Sequence, residues 1–530
     1  MRRSSVSVKL WPALFATLLA LAACGGNQGT STTNRTLVVD KSFDLKTADP
    51  QREFEFAGGP VVHAMYDTLL TFKGGDVTKP IPLVATSYTA SSDARTYTFP
   101  LRSDVKFGDG SPLTSADVLF SFNRLINIHG NPSFLLDGVT VTAPDAHTVV
   151  LTSKDPNPAI PFIVPNPALG IVNSKVVKAH GGTDQPGADK SDTAESYLNT
   201  TSAGSGPCTL QSFSTTSQVV LKASPKYWGP NKPAFQTVVI RNVEAPTQLI
   251  DVQKGTDEVS LDLSPDQATS LKGNDKLQVK QTASPNVFFL FANDNAQVSS
   301  ITPNPHFQSA VRYGLDYQGI IQLAGSGAVQ AVGVIPSSFL GALPASDALK
   351  RDVSKAKSEL QAAGVSNPTV DLEYPSDITL NGLSFQTLAE RIKANLADVG
   401  ITLNLKGAPV ATSLANYRAG KEQMGLWYWG PDYPDPNDYL VFLPGQLVAK
   451  RAGWLPGADP TVEQMGQQAG STADNAKRTT LYQSIQNRMN QVGPFFPLIQ
   501  PGQIVVGSKN LTNVEYNPSW LLDVTTVGTG

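Results

Sequence analysis

Three observations predict an α/β fold of two or more lobes. The chain has 530 residues, and single cores rarely grow beyond roughly 250–300 residues. Hydrophobic residues make up 40% and charged residues 16%, which supplies a packed interior under a surface carried more by Ser, Thr, Asn and Gln than by charge. Helix and strand periodicities also alternate. Phe385, Leu388, Ala389, Ile392 and Leu396 share one helical face, and Ile401, Leu403 and Leu405 follow directly with strand alternation. The 41 Lys+Arg against 44 Asp+Glu give a net charge of −3, so there is no electrostatic case for a nucleic-acid partner.

From the N-terminus, Arg2, Arg3 and Lys9 precede an apolar run over residues 10–23. This is the basic and short hydrophobic region of a secretory signal, assigned to residues 1–23. A membrane-spanning helix needs roughly 20 apolar residues, and no later stretch approaches that. Leu21-Ala22-Ala23-Cys24 resembles the lipobox of bacterial lipoproteins, in which cleavage precedes a lipidated Cys. Residues 24–36 then read as lipidated Cys24 and a Gly/Ser/Thr/Asn tether. More than one acyl chain gives the stable anchoring that one cannot. The expected location is extracytoplasmic, lipid-anchored in the periplasm or on the outer face of the cell membrane. Cys208 is the only other Cys; it has no disulfide partner in a lipidated chain and reads as a small buried hydrophobe.

In the body, Leu37-Val38-Val39 opens a strand, and Tyr97-Thr98-Phe99 and Val105-Lys106-Phe107 alternate as half-buried strands. Thr114 with Asp117 three residues later forms a capping box before Val118, Leu119, Phe120 and Phe122. Residues 180–206 are rich in Gly, Asp, Ser and Thr and read as a long surface excursion. Strands return at Val219 and Leu221 and at Val238-Val239-Ile240.

Enzymatic chemistry finds no motif. His63, His129, His147, His180 and His306 are scattered singly, without a zinc-binding pattern. No nucleophile elbow, phosphate loop or dinucleotide fingerprint falls between a strand and a helix. A secreted hydrolase is therefore disfavoured, and neither cofactor nor metal is expected. Asp432 and Asp435 could be posed as an acid–base pair, but beside Pro434 and Pro436 they are turn residues first.

The most informative stretch is Leu426-Trp427-Tyr428-Trp429-Gly430-Pro431-Asp432-Tyr433-Pro434-Asp435-Pro436-Asn437-Asp438-Tyr439. By itself it reads as a strand entering a Pro-punctuated loop. Aromatic faces and carboxylates brought together this way could form a pocket for a cationic, partly apolar ligand. It also reads as an aromatic core strand followed by a solvated turn.

The block Leu101-Arg102-Ser103-Asp104-Val105-Lys106-Phe107-Gly108-Asp109-Gly110-Ser111-Pro112-Leu113-Thr114-Ser115-Ala116-Asp117-Val118-Leu119-Phe120-Ser121-Phe122 resembles the hallmark of the family 5 solute-binding proteins of ABC importers, the dipeptide, oligopeptide and nickel class. Ala48-Asp49-Pro50, Met65-Tyr66-Asp67-Thr68-Leu69-Leu70, Gly204-Ser205-Gly206-Pro207, Pro225-Lys226-Tyr227-Trp228-Gly229 and the helix beginning Pro305-His306-Phe307 are similar to further blocks of that family, in its order. Cys208, Ser309 and Asp316-Tyr317-Gln318 depart from the family pattern in structural blocks.

The resemblance implies a two-lobed periplasmic-binding-protein clamp with a hinge. Lobe I is placed at residues 37–285, lobe II at 286–496 and the return to lobe I at 497–530. The first crossing is expected near Asn286-Val287-Phe288-Phe289-Leu290 and the second near Phe495-Phe496-Pro497-Leu498. A monomer would capture a peptide between the lobes and deliver it to ABC permease subunits. The family also carries nickel chelates, opines, haem and oligosaccharides, which stand as the alternative cargo. By the family's Trp-x-x-Asp arrangement, Asp432 would meet the ligand's α-ammonium group with Trp429 beside it, while Trp427 and Tyr433 complete the candidate ligand-binding set. Asp435 and Asp438 are expected to be loop formers.

Overall fold

The computed structural model describes residues 35–530 except Asn231 and Gly255. The signal segment, Cys24 and most of the tether lie outside the described residues. Among those described, no helix is long and apolar enough to cross a membrane.

Two large sheets organise the chain. The first has seven strands, in the order Leu277–Ala283, Gly502–Ser508, Glu258–Ser260, Thr36–Lys41, Thr237–Asn242, Gln218–Ala223 and Cys208–Phe213. Thr36–Lys41 runs parallel to both of its neighbours, and Leu37 and Val39 are fully buried in the core beneath. A four-stranded antiparallel sheet built from Thr89–Ala90, Thr96–Pro100, Thr148–Ser153 and Val139–Asp145 extends this lobe.

The second large sheet has six strands, in the order Val329–Gln330, Phe495–Gln500, Val287–Ala292, Met424–Trp429, Thr369–Pro375 and Thr402–Ala408. Its central strand reads Val-Phe-Phe-Leu-Phe-Ala and is buried on both faces. Strand alternation sends Phe288, Leu290 and Ala292 into one core and Phe289 and Phe291 into the other. The expected helix is found at Phe385–Ala397, followed by the strand Thr402–Ala408. The result is a two-lobed α/β clamp.

The chain changes sheets twice, at residues 284–286 and at Pro501. The two crossings are tied together: the Ser284 amide donates to the Pro501 carbonyl at 2.8 Å, and Gln500 Nε2 donates to the Ser284 carbonyl at 2.8 Å. Phe495–Gln500 belongs wholly to the second sheet, so the return falls just after the expected Phe495-Phe496-Pro497-Leu498.

Two local expectations are corrected. Val105 and Phe107 are buried, but the segment is not a ladder strand. The Phe107 amide donates to the Ser111 carbonyl at 2.9 Å, closing a turn around Gly110. Residues 180–206 are no surface excursion either. Ala188, Ala194 and Leu198 are fully buried, and Asp192 lies in the interior.

The partner of Asp192 explains how so polar a segment can pack. The capping box at Thr114 and Asp117 starts the helix Ser115–Ile128, which carries a fully buried Arg124. Arg124 donates to Asp49 at 2.7 and 2.6 Å, to Asp192 at 2.8 and 2.8 Å and to Gln51 at 2.8 Å. Every guanidinium N–H is used, so the desolvated charges are compensated by geometry. Replacing Arg124 with Met should leave two buried carboxylates with only the partly exposed Arg52, 3.5 Å from Asp49 and 3.2 Å from Asp192, as a cation, and cost about 3–5 kcal/mol. Chemical denaturation of the mature chain checks this, and wild-type stability in the variant would rule out a structural role for the network.

Candidate functional site

The strand Met424–Trp429 runs beside the central strand of the second lobe, and its alternation sorts its side chains. Met424 and Leu426 enter one core, while Trp427 and Trp429 turn to the face that meets the first lobe. There, first-lobe side chains including Phe72, Phe162 and Trp520 join the same apolar cluster, so the lobes are in contact. Between them lies a cavity of about 490 Å³, within the roughly 300–1,000 Å³ of small-ligand sites. Phe54, Asn166 and Trp520 line it from the first lobe, and Trp427, Trp429 and Asp432 from the second.

Each aromatic is locked by a partner. Trp427 donates its indole N–H to Glu422 Oε2 at 2.8 Å and stacks on Tyr417 at 4.4 Å with planes 15° apart. The Arg451 guanidinium lies 4.8 Å over the other ring of that stack, Tyr417. Burial pushes the Glu422 carboxyl up to about 8, so at neutral pH it is mainly a neutral acceptor for the indole. Trp520 stacks on His63 at 3.9 Å, which fixes the opposite wall.

The loop after Trp429 is held by its acids. Asp435 accepts the Asn437 amide at 2.8 Å, capping the short 3-10 helix Pro436–Phe442, and forms a fully buried ion pair with Arg478 of the helix Asn475–Val492. Asp438 is 5% exposed. It accepts the Trp429 indole N–H at 2.9 Å and the Asp432 amide at 3.3 Å through the same oxygen. Both residues do more than form a loop: they hold the backbone and the indole around Asp432. Pro434 and Pro436 concealed this in the sequence, because turn chemistry alone accounted for Asp-Pro.

Asp432 itself is half-buried on the cavity wall, and its backbone carbonyl is approached by Asn166 Nδ2 from the first lobe at 3.5 Å. Loss of water around the carboxyl pushes it up to about 6. Three of the four sequence candidates, Asp432, Trp429 and Trp427, present polar or aromatic surface to the cavity. Tyr433 also lines it, but its ring packs against the first-lobe core as an interlobe wedge.

Sequence reasoning missed the first-lobe wall. Glu53 is buried against its own loop, accepting the Glu55 amide at 2.8 Å, and burial pushes it up to about 8. Asn166, Tyr417 and Trp520 carried no local signal, since only the fold brings them to residue 432. Glu53, Glu55 and Asp432 are the acids of the lining and Arg451 its one cation among the described residues. The cleft therefore favours positive charge at the Asp432 end. Away from it, Asp40, Asp251 and Glu258 cluster closely enough to hold a cation. Arg241 already occupies that position, with N–H donors 2.7 Å from Asp40 and 3.0 Å from Asp251.

Known proteins match along nearly the whole chain. The chain is 28% identical over 495 residues to the probable D,D-dipeptide-binding periplasmic protein DdpA of Escherichia coli (strain K12), covering 91% of this chain and 92% of that protein. It is 25% identical over 528 residues to di/tripeptide-binding protein 2 of Pseudomonas aeruginosa (strain UCBPP-PA14), covering 94% and 96%. In fold it is similar to HbpA2 from Haemophilus parasuis, with a TM-score of 0.81 at 21% identity, over 94% of this chain and 100% of that one. The family described as bacterial extracellular solute-binding proteins, family 5 Middle, matches residues 79–447. With that match, a two-lobed fold and a cavity between the lobes, the chain belongs to the family 5 extracellular solute-binding proteins.

Proposed function

We propose that the protein is the substrate-binding lipoprotein of an ABC importer, that it captures di- or oligopeptides between its lobes, and that it passes them intact to a membrane permease. One observation carries the peptide reading: Asp432 is a partly desolvated carboxylate in an aromatic-walled cleft, with no cationic side chain paired to it among the described residues. A peptide brings an α-ammonium group that must shed water as the lobes meet, and a fixed carboxylate compensates it by a charge-assisted hydrogen bond. The peptide binding named for the two relatives supports the same class. Trp429 and Trp427 form the wall beside the ammonium site, and Tyr433 couples that wall to the first lobe. The hinge lies at the paired crossings at Ser284 and Pro501, and ligand that binds both lobes at once shifts the population towards the closed form. The clamp acts as a monomer, tethered through lipidated Cys24.

A thermal-shift screen of di- to hexapeptides, with native mass spectrometry of the purified mature chain, tests this reading. Ligand specific for the folded state stabilises by about 2.7 kcal/mol at a hundredfold excess over Kd. Free-amine peptides should raise Tm and be recovered unhydrolysed. A shift with sugars or metal chelates alone would replace the peptide reading. Asp432→Ala should weaken peptide binding by about 2–5 kcal/mol, because it leaves the ligand's ammonium buried and unpaired; an unchanged Kd by titration calorimetry would remove Asp432 from the site. For the anchor, Cys24→Ala expressed with its signal should lose metabolic labelling by fatty acid and leave the membrane fraction. Labelling that survives the substitution would exclude Cys24 as the lipidated residue.

A further inference from the structure

Three acids follow one another on the loop after Trp429, Asp432 on the cavity wall and Asp435 and Asp438 buried behind it, and among the described residues only Asp435 has a cation. Asp435 takes Arg478. Asp438, almost fully buried, receives only two neutral donors, the Trp429 indole at 2.9 Å and the Asp432 amide at 3.3 Å. Asp432 is paired to no cation among the described residues, and its charge opposes ionisation of Asp438. A second observation marks the place as unfinished. The Tyr439 hydroxyl, buried with no hydrogen-bond partner, faces the same two acids.

Among the described residues no neighbour supplies the missing charge. Asp435, Tyr433 and Tyr439 crowd the pair from its own loop and short helix. From the helix Asn475–Val492, Arg478 is engaged with Asp435 and the Tyr482 hydroxyl donates to Asn437 Oδ1 at 3.4 Å. Tyr88 and Tyr97 of the first lobe face Arg478. Along the cavity Glu53 and Glu55 add acid, and Arg451 is spent on the Tyr417 ring. Two adjacent carboxyls in a desolvated site cannot both ionise unless a cation joins them.

We propose that Asp438 is a second ligand-determining carboxylate, and that the Asp432–Asp438 pair holds one proton in the empty cleft, which a cationic group of the ligand displaces on binding. The inference rests on the reading of an amine-bearing ligand at Asp432. The ligand arrives and stays as an ammonium. The O–H bond of whichever carboxyl holds the proton breaks, its electron pair stays on oxygen, and the proton leaves to buffer. Asp438 acts through Trp429 as well as through charge, since its hydrogen bond fixes the indole beside the ammonium site. A ligand without a cation leaves the proton in place and gains nothing from the pair, so the pair selects charge rather than shape.

Two measurements test the pair, one of them free of ligand. An acid raised in the folded state binds more protons folded than unfolded, so its contribution to stability is present at low pH and is lost as pH rises through the raised value. Burial raises Asp432 to about 6, and burial together with the charge of Asp432 raises Asp438 well above the usual range. The empty wild type should therefore lose Tm from pH 5 to pH 8, and D438N, whose amide oxygen still accepts from Trp429, should lose distinctly less. Glu53, Glu258 and Glu422 are raised in the same direction but are common to both proteins, so the difference isolates the pair. D432N, at the more exposed member, should reproduce it. Calorimetry of a free-amine peptide at pH 7 in two buffers of different ionisation enthalpy should give about one proton released by the wild type and under about a third of that by D438N. Parallel pH profiles of wild type and both variants, or equal proton release, overturns the proposal. No heat with any peptide, together with a flattened profile in D438N, retires the peptide reading and leaves the proton-holding pair standing.

Discussion

The cleft depends on a single buried contact, the Asp435–Arg478 ion pair. The loop carrying Asp432 has no strand partner of its own beyond Trp429 and would lose position without an anchor. Asp435 anchors it twice, by capping the following 3-10 helix and by bonding a helix more than forty positions further along the chain. The pairing is incomplete, since Asp435 Oδ2 and Arg478 Nε have no partner. Pairs of this kind seldom add stability over apolar packing, whereas removing one partner strands a buried charge. Its contribution here is positional: it fixes where Asp432, Asp438 and the Trp429 indole stand relative to one another.

Given that anchor, the rest of the site follows from partition of charge and aromatic surface. The two tryptophans share a face because a strand alternates, and each indole N–H is matched by an acid, Glu422 or Asp438. The wall is therefore rigid and its polar edges are satisfied before ligand arrives, which lowers the entropy lost on binding. The first lobe contributes Glu53 and Glu55 and much shape through Phe54, Asn166 and Trp520. A cleft with acids on both lobes, one cation on the second among the described residues and apolar surface from both can orient one end of a ligand and tolerate variety in the remainder.

In the proposed clamp the hinge is where the backbone crosses between sheets. Two crossings bonded to each other, at Ser284 with Pro501 and Gln500, bend together, and each continues directly into a strand whose partners hold it on either side. Closure then becomes a rotation of two intact cores instead of a local melting. The buried Arg124 network keeps the first lobe intact by fastening the Asp49 turn and the polar segment around Asp192 to one helix.

Local chemistry was legible in the residues. The capping box at Thr114 and Asp117, the amphipathic helix Phe385–Ala397 with the strand after it, the buried Cys208 and the aromatic strand leading to Asp432 are all set by neighbours within a few positions. Where a residue's partner lies far along the chain, local reading failed. The segment around Asp192 looked solvated because Arg124 was invisible to it. Asp435 and Asp438 looked like turn formers because Arg478 and the folded-back Trp429 indole were not in view. By itself the sequence determined the capped helix, the amphipathic helix with its following strand and the aromatic strand, and that an acid would follow a pair of tryptophans, because propensity and periodicity act over short range. Only the tertiary structure decided that Trp520 and Asn166 line the same cavity as that acid, that Asp435 has the Arg478 guanidinium and that Asp438 is buried beside the Asp432 amide, because desolvation and charge pairing depend on distance in space and not on distance along the chain.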